Sequence, residues 1–406
     1  MRDAALFPPR SVLLLQGPRS PFFARLADAL AARGAEVSRV LLCPGDALYW
    51  RGRPAVRFRG PPEDWSAFAG EALARTGATD LVALGDGRKP HAEAIAEARA
   101  RGVAVHIVEQ GFLRPGWLTV EPDALGGWRP DPAALEAEAR KGGAAPRSAQ
   151  RGAGFAGFAA MDVAYDLANL ALGPLFYPRY RTHALHGPLA EWAGWVGKAA
   201  RWPVRATRLR AALARIAEAR GPVFLVALQL ESDFQIRRNG PEGGLRAMLA
   251  RICDSFARCA PASARLVVKP HPLDPQRAPW RALVARSPAA DRAIWLDGGD
   301  LDALAPRLAG MVTANSTAGL SALLSGAPVI ALGRALYDLP GLTHRSGLDA
   351  FWTAPEPPEP ARAAALARLL AADIQVEGAF DGPGMGPGAQ AVAARILSRA
   401  PHGATP

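Results

Sequence analysis

Short apolar runs alternate with stretches of helical spacing along this chain, in two separate blocks, and that alternation limits the fold more than any other feature. In the first block, residues 11–15 are apolar, 25–33 have helical spacing closed by Gly34, and 37–42 are apolar again. An apolar run at 81–84, an Ala-rich helix over 91–101 and a strand over 103–108 continue the pattern. The second block has apolar runs at 223–228, 266–268, 294–296, 311–313 and 329–332. Connections this long accommodate crossover helices, which predicts mostly parallel sheets with ligand groups at the strands' carboxyl ends. The expected class is therefore α/β, with two Rossmann-like lobes whose parallel sheets face a central cleft.

A chain of 406 residues exceeds one ordinary hydrophobic core, in keeping with two lobes. The expected boundaries are an N-terminal lobe over 1–145, a helical connector over 146–220, a second lobe over 221–355, and C-terminal helices over 356–406. Within the connector, 155–172 is helical with Asp162, Asp166 and Asn169 on one side. Trp192, Trp195 and Trp202 interleave with Lys198, Arg201, Arg205 and Arg208, a pattern suited either to an anionic lipid surface or to packing against a lobe.

The net charge of +11 fits an anionic partner, although the basic excess is nearly all Arg and partly reflects an Ala-, Gly- and Pro-rich composition. No nucleic-acid-binding module is recognisable, so nucleic acid is not an expected partner. Cys43, Cys253 and Cys259 match neither a disulfide framework nor a zinc motif, which points to a reducing compartment. Residues 1–10 lack the pattern of a signal peptide, and no uninterrupted run of eighteen apolar residues occurs.

Five strand ends carry chemistry. At 313–319 an apolar strand runs into a small-residue helix through Asn315, Ser316 and Thr317, where backbone amides and hydroxyls can cradle a phosphate; the plainer alternative is an N-cap. Lys269-Pro270-His271-Pro272 sets two potential cations just past a strand, suited to a departing phosphate. Gln229 to Gln235 offers Glu231 and Asp233 after the strand at 223–228. Glu109 ends another strand, with Gly111 and Arg114 following. Two carboxylates from opposite lobes are what glycosyl transfer through a covalent intermediate requires. Gly85-Asp86-Gly87-Arg88-Lys89-Pro90-His91 packs a carboxylate, two cations and a histidine into one loop. Asp300-Leu301-Asp302 precedes a helical stretch and reads as a cap rather than a metal site.

These motifs, taken in order, resemble the capsule polysaccharide biosynthesis and export family of the KpsS/LipB type. The matching stretches are Gly45-Asp46, Gly85-Asp86 with Arg88 and His91, Glu109-x-Gly111-x-x-Arg114-Pro115, Gln229-x-x-x-Asp233-x-Gln235, Lys269-Pro270-His271-Pro272, Asn315-Ser316-Thr317, and Gly333-Arg334 through Pro340 to Thr343. The resemblance implies a GT-B-like glycosyltransferase that moves β-Kdo from CMP-Kdo to a phosphatidylglycerol-type lipid with retention of configuration. It implies Asp233 as nucleophile and Glu109 as general acid/base, or the reverse. Lys269, His271, Ser316 and Thr317 would steady the CMP phosphate without a metal, and Asn315 and Gln229 would line the same donor site. Arg114 and Arg334 would hold the Kdo carboxylate. It also implies a cytoplasmic protein, peripheral on the inner face of the membrane, with other capsule assembly proteins as further partners. Two alternatives stay open: a non-catalytic export or assembly protein that binds a glycolipid, and an enzyme of this architecture using another nucleotide-sugar.

Overall fold

The computed structural model describes residues 10–183, 187–231, 236, 239–274 and 279–399. It divides into two compact units, each built on its own sheet. The first comprises Met1–Arg129, Arg147–His183 and Leu370–Pro406; the second comprises Pro130–Pro146 and Ala184–Leu369.

The first unit holds β1 (Ser11–Leu14), β2 (Glu36–Leu41), β3 (Ala55–Arg57), β4 (Asp80–Leu84), β5 (Ala104–Gln110) and β6 (Trp117–Pro122). The second holds β7 (Val223–Ala227), β8 (Arg265–Lys269), β9 (Ala293–Trp295), β10 (Leu308–Thr313) and β11 (Val329–Ala331), and β12 (Gln375–Glu377) returns to the first. The first sheet is ordered β12-β6-β5-β4-β1-β2-β3, the second β11-β10-β7-β8-β9.

Both sheets reverse their winding beside their first strand. From β1 the chain proceeds outward through β2 and β3, then returns to place β4 and β5 on the other flank; from β7 it proceeds to β8 and β9, then returns to β10 and β11. All five strands of the second sheet are parallel, as are β1 to β5. Their central members are buried on both faces, which is why 81–84 and 223–228 read as unbroken apolar runs.

The first sheet is not wholly parallel. β6 runs antiparallel to β5, and β12 antiparallel to β6. The cause is chain length, because Gly111–Gly116 is far too short for a crossover helix. Gly111 allows the tight return, since a Cβ there would lie 2.5 Å from the Trp117 carbonyl oxygen.

The C-terminal segment likewise departs from the expected separate helices over 356–406. Its strand β12 joins the first sheet, and the helix Met385–Leu397 packs on the helix Phe22–Ala31, with Val392 and Ile396 in one buried cluster with Phe22, Leu26 and Leu30. The expected connector over 146–220 is divided too, its first helix Gly154–Phe176 lying in the first unit and the helices Pro188–Ala200 and Trp202–Ala217 in the second.

At the amino end of β4, fully buried Asp80 accepts hydrogen bonds from Arg10 Nε at 2.6 Å, His106 Nε2 at 2.7 Å and Thr79 Oγ1 at 2.7 Å. Burial alone would raise its pKa, but these donors outweigh it and hold the carboxyl at about 2. A depressed carboxylate stabilises the fold above its unfolded pKa and loses that contribution as pH falls through the folded one. Asp80→Asn is therefore expected to cost about 2 kcal/mol above pH ~4. In denaturant unfolding, the difference from wild type should narrow between pH ~4 and 2.

Candidate functional site

Where winding reverses, the two loops that leave adjacent strand ends diverge and open a crevice at the carboxyl edge of the sheet. In each unit a glutamine two residues beyond the first strand reaches across that gap. Gln16 follows β1, and its Oε1 accepts from Arg88, beyond β4, at 3.4 Å. Gln229 follows β7; its Nε2 donates to Asn315 Oδ1 at 2.9 Å, and its Oε1 accepts from the Asn315 backbone N–H at 3.1 Å.

In the second unit the Asn315 side chain also donates to the Asn239 carbonyl at 3.2 Å, the same oxygen that accepts from the Arg334 backbone N–H at 2.8 Å. The Arg334 N–H thereby ties the end of β11 to the same crevice, while its guanidinium stays exposed. Ser316 caps the helix Thr317–Leu324, its Oγ accepting from the Ala318 N–H at 3.2 Å, so the plainer reading of this hydroxyl holds. Tyr337 locks the turn from below by donating to the Ser316 carbonyl at 2.6 Å, and a Cβ on Gly319 would meet that phenol oxygen at 2.2 Å. Residues 315–318 remain half-exposed at the helix N-terminus, with Thr317 in its first turn.

Lys269 ends β8 with its ammonium almost buried, donating to the Gly298 carbonyl at 2.6 Å. Burial holds its pKa below the usual lysine value, an effect that Asp297 and Asp300 partly offset. His271 Nδ1 accepts from the Leu273 N–H at 3.1 Å, which fixes the ring. Asp233 and Gln235 lie outside the described residues.

A pocket of about 660 Å³ lies in the same unit, lined in part by Arg201, Arg205, Arg208, Trp280, Trp295 and Asp297. Arg205 grips Asp297 through Nε at 2.6 Å and Nη2 at 2.7 Å. Lys198 lies 4.6 Å above the Trp195 ring and donates to the carbonyls of Pro272 and Asp274 at 2.9 and 3.0 Å. Of the connector's expected lipid-facing cations, these two are thus engaged within the second unit.

In the first unit the carboxyl ends of β1, β2, β4 and β5 carry a dense polar network. Asp46 is fully buried and accepts from the Leu42 N–H at 3.0 Å, Tyr165 Oη at 3.0 Å and Gln16 Nε2 at 3.2 Å, with Arg39 at 3.3 Å. The Gly45 N–H donates to Asn169 at 2.7 Å, and Arg19 binds Asp162 and Asp166 at 2.9 and 3.2 Å. The helical face expected from Asp162, Asp166 and Asn169 is therefore an inward one.

Glu109 and Gly85 adjoin across β4 and β5. The Glu109 Oε1 accepts from the Gln110 N–H at 2.9 Å, and a Cβ on Gly85 would stand 3.1 Å from Oε2. Arg88 feels burial first and the compensating charge of Glu109 second. Arg114 is exposed on the β5–β6 turn, its Nε donating to the Gly111 carbonyl at 3.3 Å, and Asp86 accepts from the Leu125 N–H at 3.2 Å.

His91 is buried, and its Nδ1 lies 3.0 and 3.1 Å from the carbonyls of Leu84 and Gly85. Those contacts place the proton on Nδ1. Burial, reinforced by Arg88, pushes His91 down to about 3, and burial with Arg88, His91 and Arg19 does the same to His183.

The structure thus gathers Gln229, Asn315, Ser316 and the Arg334 backbone in one crevice, and Glu109 with Arg88 and Gly85 in the other. Sequence reading missed Gln16, Arg19, Arg39 and Tyr165. The position of Gln16 just past an apolar strand was the available signal; the others fall on ordinary helix, strand and loop positions.

Two outcomes follow from this geometry. Gly85 and Gly77 both have positive φ, at 64° and 57°, but of the two only Gly85 has a neighbour within 4 Å of the position a Cβ would take. Replacement by Ala should cost each about 1–2 kcal/mol for the left-handed backbone. Gly85→Ala should lose more than Gly77→Ala in denaturant unfolding, because Glu109 must move; equal losses would mean the carboxylate yields freely. The histidines set an acid limit. With folded values of about 3 against an ordinary 6.5, their contribution is intact above pH ~6.5 and is lost as pH falls toward 3. Thermal unfolding of His91→Asn should accordingly depend less steeply on pH across that window than wild type does.

Residues 79–380 match the model of a family described as capsule polysaccharide biosynthesis protein. The chain is 29% identical over 370 residues to the capsule polysaccharide export protein KpsS of Escherichia coli, covering 86% of this chain and 91% of that protein. It is 30% identical over 369 residues to the capsule polysaccharide modification protein LipB of Neisseria meningitidis serogroup B, covering 86% of each. Among solved structures, it overlays on the beta Kdo 2,7 transferase of Thermosulfurimonas dismutans KpsC with a TM-score of 0.44 and 14% identity, over 96% of this chain and 99% of that one. The UDP-GlcNAc 2-epimerase of Neisseria meningitidis gives a TM-score of 0.31 and 12% identity, over 96% and 100%.

Proposed function

Because this chain belongs to the capsule polysaccharide biosynthesis family, we propose that it is a glycosyltransferase that moves β-Kdo from CMP-Kdo to a phosphatidylglycerol-type lipid at the inner face of the membrane. The observation that carries the reading is the half-exposed helix N-terminus at 315–318, set in the second sheet's crevice beside Gln229. A helix N-terminus presents partial positive charge to an anion, which suits the CMP phosphate.

In this reading Asp233 attacks the anomeric carbon of Kdo as the bond to the CMP phosphate breaks, and a glycosyl ester forms. CMP leaves as an anion, so this step needs no acid. Glu109 then takes the proton of the acceptor hydroxyl while that oxygen displaces the Asp233 carboxylate, restoring the starting configuration. Two inversions give retention. Lys269 and His271 serve the departing phosphate, and Arg114 and Arg334 are assigned to the Kdo carboxylate. Arg88 acts on Glu109 through its charge.

The test is incubation of purified protein with CMP-Kdo, generated in place, and a fluorescent phosphatidylglycerol analogue, read by mass spectrometry. Wild type should yield a product one Kdo heavier. Asp233→Ala and Glu109→Gln should each lower the rate at least about a hundredfold, the scale of losing a group that acts on the reacting atoms. The description of the Escherichia coli relative as an export protein favours a second reading, a binder of finished glycolipid. Wild type that binds glycolipid but forms no product with any donor would establish that reading instead.

A further inference from the structure

We infer that the helix Gly154–Phe176 is an interfacial element that lies on an anionic lipid surface. Among the described residues it is the helix long and apolar enough to cross a membrane, and most of its surface is open to solvent. Phe158, Leu167, Leu170, Leu172 and Leu175 are exposed by 41, 51, 39, 45 and 74%. An exposed apolar surface of this extent on one element calls for a partner, because water solvates it at a cost.

Charge identifies the partner. Between residues 147 and 183 the acidic residues are Asp162 and Asp166, and both bind Arg19 within the first unit. The same segment presents Arg147 and Arg151 before the helix and Arg179 and Arg181 after it, all four exposed. What the segment shows to its surroundings is therefore apolar along its length and positive at both ends. Anionic headgroups complement the arginines at about 1 kcal/mol each, while the apolar side chains enter the acyl boundary.

The helix lies on such a surface rather than crossing it. Its polar side is held by the Arg19 pairs, by the Asn169 bond to Gly45, by the Tyr165 bond to Asp46 and by Tyr49, which donates to the Met161 carbonyl at 2.8 Å. Insertion across a bilayer would break all of these and strand two carboxylates in hydrocarbon. The inference deepens the proposed lipid-acceptor reading by naming the docking element, yet it stands or falls on lipid binding alone.

The test is flotation of the purified full-length protein with phosphatidylglycerol-containing vesicles and with pure phosphatidylcholine vesicles. Wild type should float with the first and much less with the second. The triple variant Leu167→Glu, Leu170→Glu, Leu175→Glu should lose at least about tenfold in partitioning, as should Arg179→Glu with Arg181→Glu. Because all five side chains face solvent, thermal unfolding should match wild type and exclude misfolding as the cause. Variants that float like wild type, or wild type that ignores anionic vesicles, would overturn the inference. So would a triple variant that still floats but loses self-association in sedimentation, which would make the helix a contact between copies. Helix-dependent flotation without any glycosylated product would leave the inference standing and remove the transferase reading.

Discussion

Parallel pairing of strands is the constraint on which the rest of this molecule depends. Each parallel step demands a crossover, each crossover leaves the carboxyl ends of the strands on one edge, and each reversal of winding opens that edge beside the first strand. Both units obey this with different sequences: β1 and β4 flank one opening, β7 and β10 the other. The residues that bridge the openings, Gln16 to Arg88 and Gln229 to Asn315, follow from the same geometry, since both glutamines stand two residues beyond a buried strand.

The two openings are furnished differently. In the second unit the side chains direct their hydrogen bonds to each other, to the Asn239 carbonyl and to backbone N–H groups of the turn, while residues 315–318 stay half-exposed at the helix N-terminus. That arrangement suits an anion whose charge is delocalised over several oxygens. In the first unit charge is buried and compensated: Asp46 by Arg39 and by Leu42, Gln16 and Tyr165 donors, Arg19 by Asp162 and Asp166. The Arg19 pairs with Asp162 and Asp166, the Asn169 bond to Gly45 and the Tyr165 bond to Asp46 together hold the polar side of the helix Gly154–Phe176 to the first unit. Its apolar residues are left on the outside, an inversion of the usual amphipathic helix.

Much of this was legible in the residues themselves. Period and length of the apolar runs identified β1, β2, β4, β5 and all five strands of the second sheet, because strands buried on both faces are apolar without interruption. The strands β3 and β12 escaped because each is a three-residue strand at an edge of the sheet, and β6 because the buried polar residues Thr119 and Glu121 break its apolar run. The strand-end positions of Glu109, Lys269 and Asn315 were equally readable, since a chemistry-bearing residue after an apolar run stands at a carboxyl edge. The partners of those residues were not readable. Lys269 turns to the Gly298 carbonyl, a contact between segments distant in sequence, whereas the capping by Ser316 was one of the two readings its position offered.

Sequence by itself determined the α/β alternation, the two sheets and the residues offered at their edges, because strand burial and crossover length are local properties of the chain. Tertiary structure alone decided that the segment from Leu370 onward completes the first sheet rather than forming a separate tail, and that the helix Gly154–Phe176 turns its acids inward and its leucines out. The physical reason is that both outcomes rest on partners far away along the chain: β6 needs an antiparallel neighbour that β12 supplies, and Asp162 and Asp166 need the Arg19 that the β1 crevice presents.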